Sequence, residues 1–398
     1  MSPSASASTP RAVGAYLAGV QFLFVLGWIV YAAYLPQLLA QVGLERKWVP
    51  WLLAVDQLIF LVTDLAVGVW SDRAAAVQGR IARWVLVATL LSCAAFVLMP
   101  FAAGSGSLAI FLGLTVVWAV TSSALRAPPL TLLGRYVARP SQPAMVAFVA
   151  LGLGVANAIA PYVVLGLKGV DPRGPFLWSA LVLAAVTLGM VAAERALVSA
   201  RPGGGSVMPA PSLGRAGGFF VAACVAAALA FQAHVFLASG PLWLRHVGAA
   251  QLPALLPLFW VAFNLALWPA SQLARWLSPL PAMTLGAVLA ACGVALAVLA
   301  NTATMLGLAQ ALAGIGWALL LCAAFAGALA LGAGGREGLF NGALQATLAL
   351  AALARLVAVA TVAPPAAQVQ AWAPWAAIGF ALAAVALLAA VSSLRRAR

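Results

Sequence analysis

Long apolar runs alternate with short polar breaks along the whole chain, and the breaks are rich in arginine, proline and glycine. A helix needs about 20 apolar residues to cross a hydrocarbon core of roughly 30 Å, and it satisfies its own backbone on the way. Cutting the chain at its charged, Pro and Gly breaks predicts twelve spans, at 13–41, 48–71, 82–101, 107–135, 142–167, 175–197, 216–244, 252–274, 281–300, 303–331, 338–363 and 371–394. The expected fold is an all-α polytopic membrane protein. One long polar interval, 199–215, holds Arg201, Pro202, Gly203, Gly204, Gly205, Pro209 and Pro211 and falls near the midpoint. It reads as a linker between two six-helix bundles, 13–198 and 216–394, with a flexible tail at 1–12 and a basic tail at 395–398. Such a plan is that of transporters whose binding site lies near the midplane, between two related bundles.

Composition narrows the class. Of 398 residues, 65% are hydrophobic and 7% charged, against roughly 45 to 50% apolar and about 25% charged in soluble domains. A soluble enzyme, a disordered tail protein and a nucleic-acid binder are excluded. The net charge of +14 is spread between the apolar runs, as positive-inside topology requires. With the amino terminus inside, Arg11, Arg73, Arg80, Arg83, Arg135, Arg139, Arg195, Arg201, Arg215, Arg275, Arg336, Arg395, Arg396 and Arg398 are cytoplasmic. Arg46, Lys47, Lys168, Arg173 and Arg245 lie outside. This asymmetry predicts that both termini are cytoplasmic. Lysine is confined to Lys47 and Lys168 beside plentiful Arg and Ala, which points to a bacterial, GC-rich coding origin and so to the cytoplasmic (inner) membrane. Cys93, Cys224, Cys292 and Cys322 lie in apolar runs without CxxC spacing, so neither a disulfide framework nor a metal site is indicated. No GxxxxGK[ST], HExxH or GxSxG pattern occurs, so no enzyme, cofactor or ATP coupling is expected.

Between spans 2 and 3 the chain reads Gly68-Val69-Trp70-Ser71-Asp72-Arg73, then Ala74 to Gln78, then Gly79-Arg80-Ile81-Ala82-Arg83. This resembles the cytoplasmic signature of the major facilitator superfamily, with the longer insertion of its sugar-cation symporter branch. Physically, Gly68 would let a neighbouring helix approach, and Asp72 would face the positive end of another helix, a placement that contributes about 0.3–1 kcal/mol. The resemblance implies that this helix is span 11, starting near Gly338 to Asn341, and that the contact latches the two halves on the cytoplasmic side. The plainer reading leaves Arg73, Arg80 and Arg83 as topology determinants at lipid headgroups. The corresponding stretch of the second half, Pro269-Ala270-Ser271-Gln272-Leu273-Ala274-Arg275, has no acidic residue, so the second copy is degenerate. On span 5, Gly152, Gly154, Ala158, Ala160 and Pro161 weakly resemble the Gly-Pro signature of the family's proton-driven exporters.

Ionisable side chains at span depth are costly and mark function by default. Here they are Asp56, Asp64, Arg126, His234 and Arg355. Asp56 and Arg355 lie at a similar depth from outside, roughly 12 Å, and Asp64 and Arg126 at about 10 and 13 Å from inside. In facilitator-type folds spans 2 and 11 face each other across the halves. Asp56 and Arg355 are therefore expected to form an outer gate, closed in the inward-facing state and broken in the outward-facing one, with Asp64 and Arg126 as an intradomain pair. Asp64 also precedes Gly68 by the spacing that places a cation-binding Asp in melibiose-permease-type symporters, but Leu65 follows it and Phe60 stands where a further carboxylate would complete a sodium cluster. Burial disfavours a carboxyl's charged form, so one or two carboxylates suit protons better than sodium. A structural charge pair is the alternative. His234, with Gln232 nearby on span 7, is either a hydrogen-bonded packing residue or a proton relay.

Offsets of three, four and seven place Gln21, Phe24, Trp28 and Tyr31 on one face of span 1. Trp118, Asn157, Gln232, Trp260, Asn264, Trp317 and Gln345 complete the expected cavity, although aromatic stripes in spans also serve helix packing. The expected function is secondary active transport of a small, amphipathic organic solute by alternating access, with proton-coupled export first. Proton-coupled import of a sugar or organic anion is the alternative, and a non-transporting assembly factor or receptor the third. The expected partners are the solute, protons and the lipid bilayer, with the chain monomeric.

Overall fold

The computed structural model describes residues 4–75, 81–199, 214–333, 335–362 and 366–396. Among these there is no β-strand, and twelve helices are long and apolar enough to cross a membrane. In chain order, spans 1 to 6 are Arg11–Gln41, Arg46–Arg73, Ile81–Gly104, Leu108–Tyr136, Arg139–Gly166 and Arg173–Ser199. Spans 7 to 12 are Ala216–Trp243, Ala249–Leu277, Pro279–Leu299, Ala303–Gly332, Glu337–Val362 and Ala371–Arg395. Linker residues 200–213 lie outside the described residues.

Each half packs through its own spans. Span 1 lies on spans 5 and 6, and span 3 on spans 4 and 6; span 9 lies on spans 10 and 12, and span 8 on span 10. Apolar side chains gain little by leaving lipid for each other, so close approach of backbones holds such pairs. Gly293 and Gly316 show this, because a Cβ on either would collide with the backbone of the facing span, at Ala313 and Ala290 respectively. Span 2 meets span 11 and span 5 meets span 8 across the halves.

Spans 6 and 8 are interrupted by turns at 188–189 and 256–257, and two further irregular spans matter for the site. Span 4 is helical over Leu108–Ser122, tightens into a 3-10 turn at Ser123–Leu125 and resumes at Pro128–Tyr136. Pro128 and Pro129 lack the N–H donors that would continue the first helix, so Arg126 sits at the break. Span 7 widens into a π-helical stretch at Gln232–Ala238, where the Ser239 N–H bonds the carbonyl of His234, five residues back. Pro241, without an N–H, follows within a turn.

Candidate functional site

The end of the bundle that carries the loop between spans 2 and 3, the motif end, is sealed between the halves. Span 11 begins at Glu337, and its first N–H groups have no partner within the helix. Asp72 supplies it: Oδ1 accepts from the Gly338 N–H at 2.6 Å and Oδ2 from the Leu339 N–H at 2.8 Å. Above this, a Cβ on Gly68 would run into the carbonyl of Gly338, so the helices touch backbone to backbone. Asn341 Nδ2 donates to the Ala127 carbonyl at 2.7 Å, and Gln345 Nε2 to the Arg126 carbonyl at 3.4 Å. Both acceptors sit beside the prolines that interrupt span 4, and the Ala127 carbonyl also accepts from the Thr131 N–H and hydroxyl. On the other side of the interface, the Cys322 thiol of span 10 donates to the Pro143 carbonyl of span 5 at 3.3 Å. Arg73 is exposed. Gly79 and Arg80 lie outside the described residues.

Asp64 and Arg126 meet: Nε lies 2.9 Å from Asp64 Oδ2, and the guanidinium also lies over the Phe60 ring, 4.6 Å from its centre. Asp56 and Arg355 do not meet in this structure, which is closed at the motif end. Asp56 is fully buried and accepts a 2.9 Å hydrogen bond from the Tyr31 hydroxyl. Arg355 Nε donates to Gln232 Oε1 at 2.9 Å, and its guanidinium lies 5.0 Å from the centre of the Phe236 ring. The two groups are matched in depth, but each turns into its own half. Oδ1 of Asp56 has no hydrogen-bond partner, so the Tyr31 hydroxyl carries its polar satisfaction. Tyr31→Phe is expected to cost about 1–3 kcal/mol, read as a lower unfolding temperature in detergent, with Asp56→Asn in the Tyr31→Phe background recovering part of the loss.

His234 is buried, and its Nε2 lies 3.0 Å from Gln310 Oε1, while Gln310 Nε2 donates to Ser239 Oγ at 3.2 Å. The imidazole is thus tied to span 10 rather than facing the space between the halves.

That space is a cavity of about 220 Å³ between the halves. Gln21, Phe24, Trp28, Asn157, Gln232, Trp260, Trp317 and Gln345 line it, as does Arg126. Tyr31, Trp118 and Asn264, expected there, are elsewhere. Tyr31 and Trp118 pack on each other at 4.6 Å inside the first half, with Trp28 and Phe96 against them. Asn264 faces Gly154 of span 5, where a Cβ would run into its Oδ1. Among the lining residues that escaped the sequence reading are Gln57, Phe231, Phe236 and Phe325, together with aliphatic ones such as Leu348 and Ala352. Gln57 had a signal, since it is an uncharged polar residue at span depth directly after Asp56. Successive helical residues are about 100° apart, which turns Gln57 to the cavity and Asp56 away from it. Phe236 lies on the irregular turn, where regular helical offsets do not apply. Among the described residues no group of three or more His, Cys, Asp or Glu is placed to hold a metal ion.

Two sets of six spans, an Asp72 cap on span 11 at one end and a cavity between them have a counterpart in a known family. The family model of the Major Facilitator Superfamily matches residues 17–356. The chain belongs to the Major Facilitator Superfamily. It is a multi-pass membrane transporter of small-molecule solutes and not an enzyme. A search of the curated proteins finds no match. Solved structures share the fold. The human organic anion transporter MFSD10 (TETRAN) is 15% identical with a TM-score of 0.70, over 97% of this chain and 100% of that one. A bacterial homologue of the iron transporter ferroportin in an outward-facing state is 12% identical with a TM-score of 0.73, over 96% and 99%. The E. coli fucose:proton symporter FucP is 13% identical with a TM-score of 0.67, over 96% and 99%. At these identities the likeness is one of fold, and the solute of this facilitator rests on its own cavity.

Proposed function

We propose that this transporter carries a small amphipathic organic solute across a bacterial cytoplasmic membrane by alternating access, taken up together with protons. The motif end is the cytoplasmic one in this reading, on the arginine asymmetry, so the structure is closed to the cytoplasm. The observation that carries the coupling is that Arg126 lies between a buried carboxylate and the cavity. Its Nε holds Asp64 at 2.9 Å while the side chain lines the solute space. A proton on Asp64 removes the charge that engages Arg126 and frees the guanidinium for a solute acceptor. Solute and proton then favour each other's binding, and by linkage that favour is reciprocal. Such a pair moves together down an inward proton gradient.

Export requires the reverse linkage, with solute displacing the proton. The span 5 glycines that pointed to export have a packing role here: Gly152 lies against the Ala18 carbonyl and Gly154 against Asn264 and Phe263. The test is flux in proteoliposomes under an imposed pH gradient, with a broad panel of labelled solutes and an internal pH dye. The expected result is solute accumulation on the alkaline side together with internal acidification. Solute extrusion driven by the same gradient overturns the direction, and solute flux without proton movement overturns the coupling.

A further inference from the structure

We propose that the solute is an organic anion with a flat apolar body, and that Arg355 holds its charge. This rests on the cavity between the halves being the solute path, and it goes further by naming the chemical class and the anchor.

The acidic groups of the spans are engaged away from the cavity, Glu337 at the start of span 11 among them, where it accepts from the Gly335 N–H at 3.4 Å. Asp56 faces Tyr31, Asp64 holds Arg126, Asp72 caps span 11, and Glu194 accepts from the Ala82 N–H at 3.1 Å, at the start of span 3. Among the described residues, no Asp or Glu lines the cavity. A cationic solute would therefore meet no counter-charge there.

The two span arginines differ in what they have left to offer. Arg126 is neutralised by Asp64 until that carboxylate takes a proton. Arg355 has no carboxylate within 4.0 Å among the described residues, and its hydrogen bond goes to the neutral amide of Gln232. A guanidinium has five N–H donors in a planar fork that matches a carboxylate or sulfonate. Nε is engaged and braced by Gln232 and Phe236, both of which line the cavity. Arg355 also lies three residues beyond Ala352 and seven beyond Leu348, which are lining residues of the same helix, so it continues that face by one turn. An anion there gains a desolvated charge partner that a neutral solute would leave unmatched.

The body of the solute has its own surface. Phe231 and Trp317 stack at 4.2 Å with 6° between their planes, and Trp260 stands edge-on to Phe231 at 5.9 Å. All three line the cavity. Aromatic faces of this kind take a planar apolar group by offset or edge contact. They also attract cations, but beside an uncompensated arginine that attraction is opposed.

The test uses the full chain in detergent and three matched sets of tritiated probes: phenyl, naphthyl and biphenyl carboxylates, each with its neutral amide and its primary ammonium analogue. Equilibrium dialysis is expected to show at least one carboxylate bound more tightly than both its amide and its ammonium form. Arg355→Gln is expected to weaken that carboxylate on the order of 10- to 100-fold while leaving the amide unchanged. Arg355→Lys, which keeps the charge without the fork, is expected to fall between, and it tests the idea should the glutamine variant fail to fold. The proposal is overturned if no carboxylate exceeds its own amide, if an ammonium probe binds best, or if every Arg355 variant that folds binds the carboxylate as wild type does. None of these outcomes touches proton-coupled transport, which fails separately if the flux experiment shows no proton movement with any solute.

Discussion

Gly68→Leu is expected to hold the motif end open and to make Cys322 reactive. The new side chain would have to occupy the place of the Gly338 carbonyl and the Gly342 Cα, and helix backbone cannot yield as a flexible side chain can. Overpacking of this kind costs about 1–3 kcal/mol. Here the cost falls on the state closed at the motif end, because that state creates the contact. The ratio of closed to open molecules should fall on the order of 10- to 100-fold. Cys322 is a native reporter of the change, being fully buried with its thiol on the Pro143 carbonyl across the halves. With Cys93, Cys224 and Cys292 replaced by serine, its alkylation rate by a maleimide should rise by the same factor. Asp72→Asn, which weakens the cap on Gly338 and Leu339 but leaves the glycine contact, should give a smaller rise. An alkylation rate that stays at the wild-type value in Gly68→Leu would sink the latch.

Separating Asp64 from Arg126 is the second large effect. Arg126→Leu leaves a fully buried carboxylate without its cation, and Asp64→Leu leaves a cation at the cavity wall without its anion. Losing one partner of a buried pair costs about 3–5 kcal/mol, whereas replacing both is often close to neutral. Thermal unfolding in detergent should therefore rank Asp64→Leu and Arg126→Leu well below wild type and the double variant above either single one, as a coupling between neighbours demands. Transport should behave differently. The double variant, though stable, has lost the group that exchanges a proton against the solute's contact, so solute flux in proteoliposomes should no longer acidify the lumen. Additive losses in the double variant would show that the pair does not act as a unit. Retained proton flux would place the coupling elsewhere.

Much of this was legible along the chain. Hydropathy and charged breaks located twelve spans because crossing lipid demands length and apolarity whatever the neighbours are. The contact of Gly68 and Asp72 with the start of span 11 could be anticipated because the motif resembles the family's cytoplasmic signature, which implies that partner 266 residues further along the chain. Depth was legible too, since rise per residue is constant: Asp64 and Arg126 are level and do meet. The direction in which a side chain points was harder. Asp56 and Arg355 are also level, and as a gate they are expected apart when the cytoplasmic side is closed; here, with the motif end closed, the Tyr31 hydroxyl engages one in the first half and Gln232 the other in the second. Trp118 and Tyr31 are as aromatic as Trp260 and Trp317, but the first two pack on each other and the second two face the cavity.

The amino-acid sequence by itself determined the all-helical class and the span count, because these depend on local properties summed along one helix. Tertiary structure alone decided that Asp56 turns to Tyr31, which aromatic rings face the cavity and which arginine is left without a carboxylate. Those outcomes depend on the rotation of each helix about its own axis. That rotation is set by packing against several neighbours at once and is altered at the proline break of span 4 and the π-helical turn of span 7, where the regular 3.6-residue period no longer holds.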